Sequence, residues 1–253
     1  MIWIILPAYN EAENLPQLGE AIARIMKDMG RAYRVVVVDD GSTDGTRGVA
    51  AALSACLPVE VLGHDRNQGL PAALLTAFRW ILPVAGEDDA VVTMDADNTQ
   101  PPGLIPGMLA ALERGADVVV ASRYAPGASQ LGVPLVRRIL SRGARILLAV
   151  RFGLRGVSDY SSGYRMYRAS LLQAAVERYD GGLIETRGFA VMPELLVKLS
   201  VFRPRITEVP LRLRYDRKRG GSKIRLAQTV MEYLLLLGRP GVAPAPGRGT
   251  RHG

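Results

Sequence analysis

The stretch AVVTMDADNTQPP, residues 90–102, joins a continuous apolar run to two carboxylates and then to a Pro-Pro break. The run has the length and composition of a buried strand, and the prolines prevent it from continuing. Asp95 and Asp97 are two residues apart, so their side chains leave on one face if the extended geometry persists. Two such carboxylates suit Mg²⁺ or Mn²⁺, but the same spacing also suits a solvated acidic turn.

Short apolar runs of this kind alternate with helical patterns along the chain. Five segments are strand candidates: IWIIL, RVVVVDD, VEVLG, AVVTMDAD and DVVVAS. Between the first two, the segment LPQLGEAIARIMKDM has apolar residues at helical spacing, namely Leu18, Ile22, Ile25, Met26 and Met29. The alternation predicts an α/β fold in which a mostly parallel sheet is flanked by helices on both sides.

Polar side chains follow four of these strands, in the segments PAYNE, DDGSTDGT, DADNTQPP and SRY. Open parallel sheets bind ligands beyond the carboxyl ends of their strands, so we expect one shared site there. The segment IWIILPAYNEAEN contains no glycine, which excludes the fingerprint of a dinucleotide-binding oxidoreductase.

The first two strand exits suit a nucleotide. Pro7, Tyr9 and Glu11 form a rigid polar exit with an aromatic face for a base. Asp39 and Asp40 offer acceptors for base N–H groups or ribose hydroxyls. Taken alone, DDGSTDGT also suits a turn with helix caps.

The charge balance points to an anionic partner. The 253 residues include 32 Lys and Arg against 24 Asp and Glu, a net charge of +8. A nucleotide, a phospholipid surface, a polyprenyl phosphate or a nucleic acid would fit this charge. Aromatic residues make up only 6%, which argues against stacking on single-stranded nucleic acid, so we expect no nucleic-acid partner.

Two helical segments near the end of the chain could contact a membrane without crossing it. The basic segment PLVRRILSRGARILLAVRFG places Arg138, Arg142 and Arg145 on one face, which suits either solvent or an anionic lipid surface. The segment IRLAQTVMEYLLLLGR is amphipathic and would either cap the core or dip into an interface. No signal peptide and no run of about 18 apolar residues is present, so we expect a cytoplasmic, soluble or peripheral protein.

The segments PAYNE, VVVVDDGSTDGT, DADNTQPP, ASRY, SDYSSGYRMYR, RGFAVMPELL and DRKRGGSK occur in this order over residues 2–223. Together they resemble glycosyltransferase family 2, which has a GT-A fold, and most closely its polyprenyl-phosphate (dolichyl-phosphate) mannose synthase branch. The resemblance implies an inverting transfer of a hexose, most simply mannose from GDP-mannose, to a polyprenyl phosphate at the membrane surface. It divides the chain into a catalytic domain (1–215), an acceptor-phosphate loop with an amphipathic helix (216–239) and a disordered tail (240–253).

The resemblance also implies roles for single residues. Pro7, Tyr9, Glu11, Asp39 and Asp40 match the nucleotide-binding set, and Asp95 and Asp97 match the metal-binding aspartates that grip the donor diphosphate. Arg123, Arg137 and Ser141 match residues that hold the acceptor phosphate, and Arg217, Ser222 and Lys223 match a loop over both phosphates. Asp95, Asp97, Arg123 and Arg217 are thus the expected catalytic residues.

One departure concerns the metal. Many members of the branch have Gln two residues after the second aspartate, whereas here Thr99 occupies that position and the glutamine is Gln100. Ligation beyond Asp95 and Asp97 therefore stays open. Relatives with C-terminal transmembrane helices also raise the question of a separate membrane-anchoring partner, because no such helix is expected here.

Two alternatives remain at this point. A family 2 enzyme could use a UDP-sugar such as UDP-glucose, with a polyprenyl phosphate or a saccharide hydroxyl as acceptor. A hydroxyl acceptor would need a catalytic carboxylate, for which Glu194 and Asp159 are the candidates. A non-catalytic protein that binds polyanions or membranes would explain the positive charge, but not two aspartates at the pocket.

Overall fold

The computed structural model describes residues 1–186, 188–217 and 226–238. The strands are β1 (Ile2–Ala8), β2 (Tyr33–Asp39), β3 (Val59–Gly63), β4 (Ala90–Thr93), β5 (Val118–Ser122), β6 (Ser129–Leu131), β7 (Arg165–Arg168), β8 (Ile206–Pro210) and β9 (Arg212–Arg214). The helices are α1 (Leu15–Met29), α2 (Thr46–Ala52), α3 (Leu70–Ile81), α4 (Ile105–Glu113), α5 (Leu135–Phe152), α6 (Ala169–Tyr179), α7 (Val191–Leu199) and α8 (Leu226–Gly238).

A seven-stranded sheet in the order β3-β2-β1-β4-β7-β5-β8 forms the centre of the molecule. All neighbouring strands run parallel except β7, which is antiparallel to both β4 and β5. Strands β6 and β9 form a separate parallel pair. The five strand candidates and the mostly parallel sheet are confirmed, and β7 and β8 are additions that the sequence pattern did not predict.

Continuous apolar strands arise because helices cover both faces of this sheet. Alternate residues of β1 point to opposite sides: Ile4 and Leu6 pack toward α1 and α4, and Trp3 and Ile5 pack toward α3, α6 and α7. Full burial of an aliphatic side chain contributes about 1.5–3 kcal/mol, so both layers stabilise the sheet. A smaller cluster joins α5 to α8 through Leu148, Phe152 and Leu236.

The orientation of β7 determines which residues lie between the carboxyl ends of β4 and β5. Because β7 is antiparallel, its beginning lies at the same edge as the carboxyl ends of β4 and β5. The residues that precede it, 159–164, therefore form a turn between the exits of β4 and β5. We call residues 159–164 the dividing turn.

Candidate active site

Asp95 and Asp97 lie in a turn rather than on a strand. Strand β4 ends at Thr93, so the extended geometry that would have placed both side chains on one face does not reach them. That expectation was wrong in its local geometry, because residues 96–98 bend the chain and Asn98 adopts a left-handed φ of 60°. Asparagine is one of the few residues that tolerate this conformation.

The turn orients both carboxylates through its own side chains. The Gln100 Nε2 donates to Asp95 Oδ2 at 2.7 Å, and its Oε1 accepts from the Asp95 backbone N–H at 2.9 Å. The Thr99 hydroxyl donates to Asp97 Oδ1 at 2.7 Å. Thr99 and Gln100 are both buried, so the two residues that differ from the expected family pattern support the aspartates.

A small cavity at the sheet edge lies beside two of the predicted site residues, Pro7 and Asp95. Pro7 at the end of β1, Thr93, Asp95 and Gly163 line it. A Cβ atom on Gly163 would lie 3.1 Å from Asp95 Oδ1, which is closer than most such contacts. The glycine of the dividing turn thus leaves room for the Asp95 carboxylate beside the cavity.

Asp39 and Asp40, the predicted nucleotide-binding aspartates at the end of β2, are both buried and hydrogen-bonded within the protein. Asp39 accepts from Arg47 Nε at 3.0 Å and from the Ser42 backbone N–H at 3.2 Å. Asp40 accepts from the backbone N–H groups of Gln68 and Gly69 at 2.8 and 2.7 Å. Asp40 therefore holds the loop that leads into α3.

Asp40 also lies 2.7 Å from the Nδ1 of His64.

The residues after β1 face the turn that follows β2. Glu11 is buried, its backbone N–H donates to the Thr46 hydroxyl at 2.8 Å, and its carboxylate accepts from Asn14 Nδ2 at 2.6 Å. Pro7 and Tyr9 are half-buried, so Tyr9 keeps an accessible part of its ring at this edge.

Arg123 follows β5 on the other side of the dividing turn. Its Nε and Nη2 each donate to the Asp159 carboxylate at 2.7 Å, and Nη2 also donates to the Ser161 hydroxyl at 2.6 Å. Burial raises the pKa of Asp159, but the charge and hydrogen bonds of Arg123 outweigh it and leave that pKa below its ordinary value. The guanidinium is therefore fixed at the sheet edge as a cation, with 17% of its side chain exposed.

Helix α5 brings further positive charge to the same place. The Arg145 guanidinium lies 4.7 Å from the centre of the Tyr124 ring, and the Arg123 guanidinium lies 5.7 Å from it. Ser141 lies one helical turn before Arg145 and is half-buried. The side chain of Arg137 is outside the described part of the structure. Arg123 and the helix that carries the predicted acceptor residue Ser141 thus meet at the Tyr124 ring.

Strand β9, which leads to the predicted phosphate loop, is hydrogen-bonded to the turn that carries Asp95 and Asp97. The backbone N–H of Arg214, at the end of β9, donates to the Thr99 carbonyl at 2.9 Å. Arg217 follows in an exposed 3-10 turn. Ser222 and Lys223 lie outside the described residues, as does the predicted tail over 240–253.

Glu194 is fully buried at the beginning of α7, and so is not on a helix surface. Its carboxylate accepts from the backbone N–H groups of Glu185 and Thr186 and from the Thr186 hydroxyl at 2.8 Å. It also pairs with Lys198 Nζ at 3.0 Å. These contacts anchor the segment before α7.

Within residues 1–186, 188–217 and 226–238, no three His, Cys, Asp or Glu side chains converge as a metal-binding cluster.

Residues 3–175 match the family profile described as Glycosyl transferase family 2. The chain belongs to glycosyltransferase family 2. The cavity beside Asp95 and the dividing turn are therefore the candidate active site of a family 2 glycosyltransferase.

Similar members of glycosyltransferase family 2 include enzymes of lipid-phosphate metabolism. The chain is 32% identical to a dolichol-phosphate mannosyltransferase of Pyrococcus furiosus, over 91% of this chain and 61% of that protein, so it spans about three fifths of that relative. It is 35% identical to an undecaprenyl-phosphate mannosyltransferase of Micrococcus luteus, over 87% of this chain and 86% of the relative. A polyprenol monophosphomannose synthase of Mycolicibacterium smegmatis is 33% identical over 87% of this chain and 80% of its own.

Solved structures confirm the fold of this family 2 member. Glucosyl-3-phosphoglycerate synthase from Mycobacterium tuberculosis, bound to phosphoglyceric acid, superposes with a TM-score of 0.66 at 22% identity. The match covers 95% of this chain and 81% of the synthase. A second structure of that enzyme, with Mn²⁺, UDP and phosphoglyceric acid, has the same TM-score over 95% of this chain and 79% of its own. The predicted GT-A fold is confirmed.

Proposed function

We propose that the chain is an inverting hexosyltransferase that transfers mannose from GDP-mannose to a polyprenyl phosphate. The names of the three relatives support mannose as the sugar and a polyprenyl phosphate as the acceptor class. The dividing turn separates the Asp95 side of the sheet edge from the Arg123 side, which supports separate positions for the donor and the acceptor. The sheet edge on the Asp95 side of the dividing turn would take the donor, and the Arg123 side would take the acceptor.

On the donor side, Asp95 and Asp97 fit a divalent metal ion. Mg²⁺ and Mn²⁺ prefer oxygen ligands, and Mg²⁺ in particular is often held by one or two carboxylates with water and substrate phosphates completing the shell. Two carboxylates oriented by Gln100 and Thr99 match that preference. When bound, the ion would neutralise the diphosphate as negative charge develops on the leaving group. Pro7, Tyr9, Glu11, Asp39 and Asp40 are the proposed nucleotide-binding residues, with Asp40 acting through the loop at residues 64–69.

On the acceptor side, six residues are the proposed phosphate ligands, of which Arg123 directly follows β5. They are Arg123, Arg137, Ser141, Arg217, Ser222 and Lys223. Arg123 would bind an anion without first having to be ordered, because Asp159 and Ser161 already hold its guanidinium. Preorganised donors of this kind stabilise charge in a transition state more effectively than mobile ones.

The observation that carries the proposal is that the two candidate catalytic bases, Asp159 and Glu194, are buried and already hydrogen-bonded. A saccharide hydroxyl must lose a proton, whereas the second pKa of a phosphate monoester is about 6, so a polyprenyl phosphate is mostly ionised at neutral pH. Asp159 and Glu194 are both 0% exposed and are hydrogen-bonded to Arg123 and to residues 185–186, respectively. Neither carboxylate is placed to take a proton from a substrate, which favours the phosphate acceptor.

The proposed reaction then needs no proton transfer. An acceptor phosphate oxygen forms a bond to the anomeric carbon from the side opposite the leaving group. The bond from that carbon to the donor diphosphate breaks, and its electron pair leaves with the nucleoside diphosphate. The protein contributes alignment of the two phosphates and charge stabilisation.

Helices α5 and α8 suit contact with an anionic membrane surface. No helix within the described residues is long and apolar enough to cross a membrane. Apolar side chains nevertheless remain exposed on both helices, among them Val150 at 83% and Leu235 at 62%. Apolar residues with flanking arginines are typical of helices that lie in a lipid interface. These exposed helices support the proposal that the enzyme works at the cytoplasmic membrane face, either alone or with a membrane-anchoring partner.

Calorimetric titration with nucleoside diphosphates tests the donor half of this proposal. With Mn²⁺ present, GDP should bind at least tenfold more tightly than UDP, and removal of Mn²⁺ should weaken binding. Tighter binding of UDP would favour the UDP-sugar alternative. Binding of neither nucleotide would favour a non-catalytic polyanion-binding protein.

A further inference from the structure

The accessible member of the ion pair at the end of β2 is the cation. Asp39 has 3% of its side chain exposed, whereas Arg47, at the beginning of α2, has 56% exposed. Arg47 Nε donates to Asp39 Oδ2 at 3.0 Å, and the Ser42 backbone N–H donates to Oδ1 at 3.2 Å. Both carboxylate oxygens already accept hydrogen bonds, so the accessible polar group of this pair is a hydrogen-bond donor.

The Arg47 guanidinium is fixed along one of its edges. Nη2 donates to the His64 carbonyl at 3.1 Å, next to the hydrogen bond from Nε to Asp39. Gly63 ends β3 and pairs with Asp39 in the sheet register, and a Cβ atom on Gly63 would collide with Nη2. Nη1 makes no hydrogen bond within the part of the chain that the structure describes. The edge formed by Nη1 and Nη2 is therefore open to a ligand.

The order of the strands places Arg47 away from the proposed diphosphate site. Asp39 pairs with Ala8 of β1, and Tyr9, which follows Ala8, offers the aromatic face predicted for a base. Asp95 follows β4, on the other side of β1. Neighbouring strands are about 4.8 Å apart, so the ends of β2 and β4 are about 10 Å apart. A nucleotide with its diphosphate at Asp95 would extend across β1 and place its base near Arg47.

We propose that Arg47 is a specificity-determining residue that binds the acceptor edge of a guanine base. Guanine presents two neighbouring acceptors, O6 and N7, and two N–H groups of an arginine match this pair. Adenine has an amino group in place of O6, and uracil has a single carbonyl on the corresponding edge. The inference rests on the proposed function, because it requires a nucleotide at the sheet edge. It adds the group that selects the base.

Calorimetric titration of three nucleoside diphosphates in the presence of Mn²⁺ tests the inference. GDP and IDP share O6 and N7, ADP has the amino group, and all three have the same diphosphate. We expect the unmodified chain to bind GDP and IDP about tenfold more tightly than ADP. Arg47→Met should weaken GDP and IDP binding and leave ADP binding almost unchanged, so that the preference falls below threefold.

Arg31→Met is the matched control. Arg31 is 58% exposed and pairs with Glu113 at 2.8 Å, so this variant also removes an exposed, ion-paired arginine. Because Arg31 precedes β2, at the end opposite the site, Arg31→Met should keep the full preference for GDP.

A second variant moves the guanidinium without removing it. Gly63→Ala keeps both Arg47 and Asp39, but its methyl group takes the place of Nη2, so the preference for GDP over ADP should again fall below threefold. It provides the same test if loss of the Asp39 partner prevents Arg47→Met from folding.

A preference that stays within twofold of wild type in both site variants would overturn the inference. Equal weakening of all three nucleotides would also overturn it, because Arg47 would then act on the shared diphosphate. A preference for GDP over IDP as large as that over ADP would assign selection to the amino group of guanine, with the same consequence. Binding of none of the three by the unmodified chain would instead overturn the proposed function.

Discussion

Asp159 accepts hydrogen bonds from three nitrogen atoms of Arg123: the backbone N–H at 3.0 Å and Nε and Nη2 at 2.7 Å each. The carboxylate belongs to the dividing turn, and the same turn places Gly163 against Asp95. Glu208 on β8 holds the beginning of the turn by accepting from the Asp159 backbone N–H at 2.8 Å. One short segment therefore sets the positions of the groups proposed for the donor and for the acceptor.

Replacing Asp159 should destabilise the fold strongly. Asp159→Asn leaves the buried Arg123 cation without its counter-ion, which typically costs about 3–5 kcal/mol of unfolding free energy. Chemical denaturation at pH 7 measures this value. The control Asp88→Asn removes a carboxylate that is 97% exposed and should change stability by less than about 0.5 kcal/mol. A loss below about 1 kcal/mol for Asp159→Asn would contradict a structural ion pair.

The same pair predicts a pH dependence. The folded-state pKa of Asp159 is lowered, so its contribution to stability is present above the unfolded pKa of about 4 and is lost as pH falls through the lower folded value. The stability difference between wild type and Asp159→Asn should therefore shrink as the pH falls below about 4. Denaturation curves from pH 7 to pH 3 test this, and a difference that stays constant would argue against the ion pair.

A methyl group on Gly163 should disturb the donor side selectively. In Gly163→Ala the new Cβ would meet Asp95 Oδ1 at 3.1 Å, so the carboxylate has to shift. We expect Mn²⁺-dependent nucleotide binding to weaken about tenfold, with a Tm close to wild type. Gly48→Ala is the control, because its Cβ would meet nothing within 4 Å. Equal nucleotide affinities in the two variants would show that the space beside Asp95 is not critical.

The two aspartates should matter for activity far more than for folding. Asp95→Ala and Asp97→Ala each remove a proposed metal ligand whose side chain is only half-buried. Transfer should fall at least a hundredfold in each, while the unfolding midpoint changes little. Asp28→Ala, at the exposed end of α1, should retain full activity. Substantial turnover in both site variants would exclude the metal assignment.

The proposed membrane contact of α5 and α8 can be tested apart from catalysis. Val150→Asp and Leu235→Asp place a charge on exposed apolar positions of α5 and α8, which should weaken binding to anionic phospholipid vesicles about tenfold each. Val84→Asp changes another exposed valine, 65% accessible, that lies outside both helices, and it should leave binding unchanged. Vesicle sedimentation measures the partitioning. Equal partitioning of all three variants would place the membrane contact elsewhere.

The sequence predicted the strands well, because continuous runs such as IWIIL and RVVVVDD are buried on both faces and contain no competing signal. It predicted α1 because the buried residues of that helix recur at helical spacing. Strand β7 was missed because RMYR is short and contains two arginines, one of them fully buried. Only tertiary contacts explain that burial.

Side-chain partnerships were less predictable than strand exits. The order of the motifs led to the prediction of Asp95, Asp97 and Arg123 as site residues, but the hydrogen bonds of Gln100 and Thr99 depend on how a turn closes. The sequence did not show whether Glu194 lies on a helix surface or in the active site. Its burial depends on Lys198 and the segment at residues 185–186.

The most direct test of the proposed function is transfer of radiolabel to defined acceptors. The unmodified chain would be incubated with Mn²⁺ and labelled GDP-mannose, with polyprenyl phosphate, unphosphorylated polyprenol or a saccharide in separate reactions. We predict an organic-soluble, acid-labile product only with polyprenyl phosphate, because the two candidate bases are buried and already hydrogen-bonded. Label transferred to polyprenol or to the saccharide at a comparable rate would contradict the proposal.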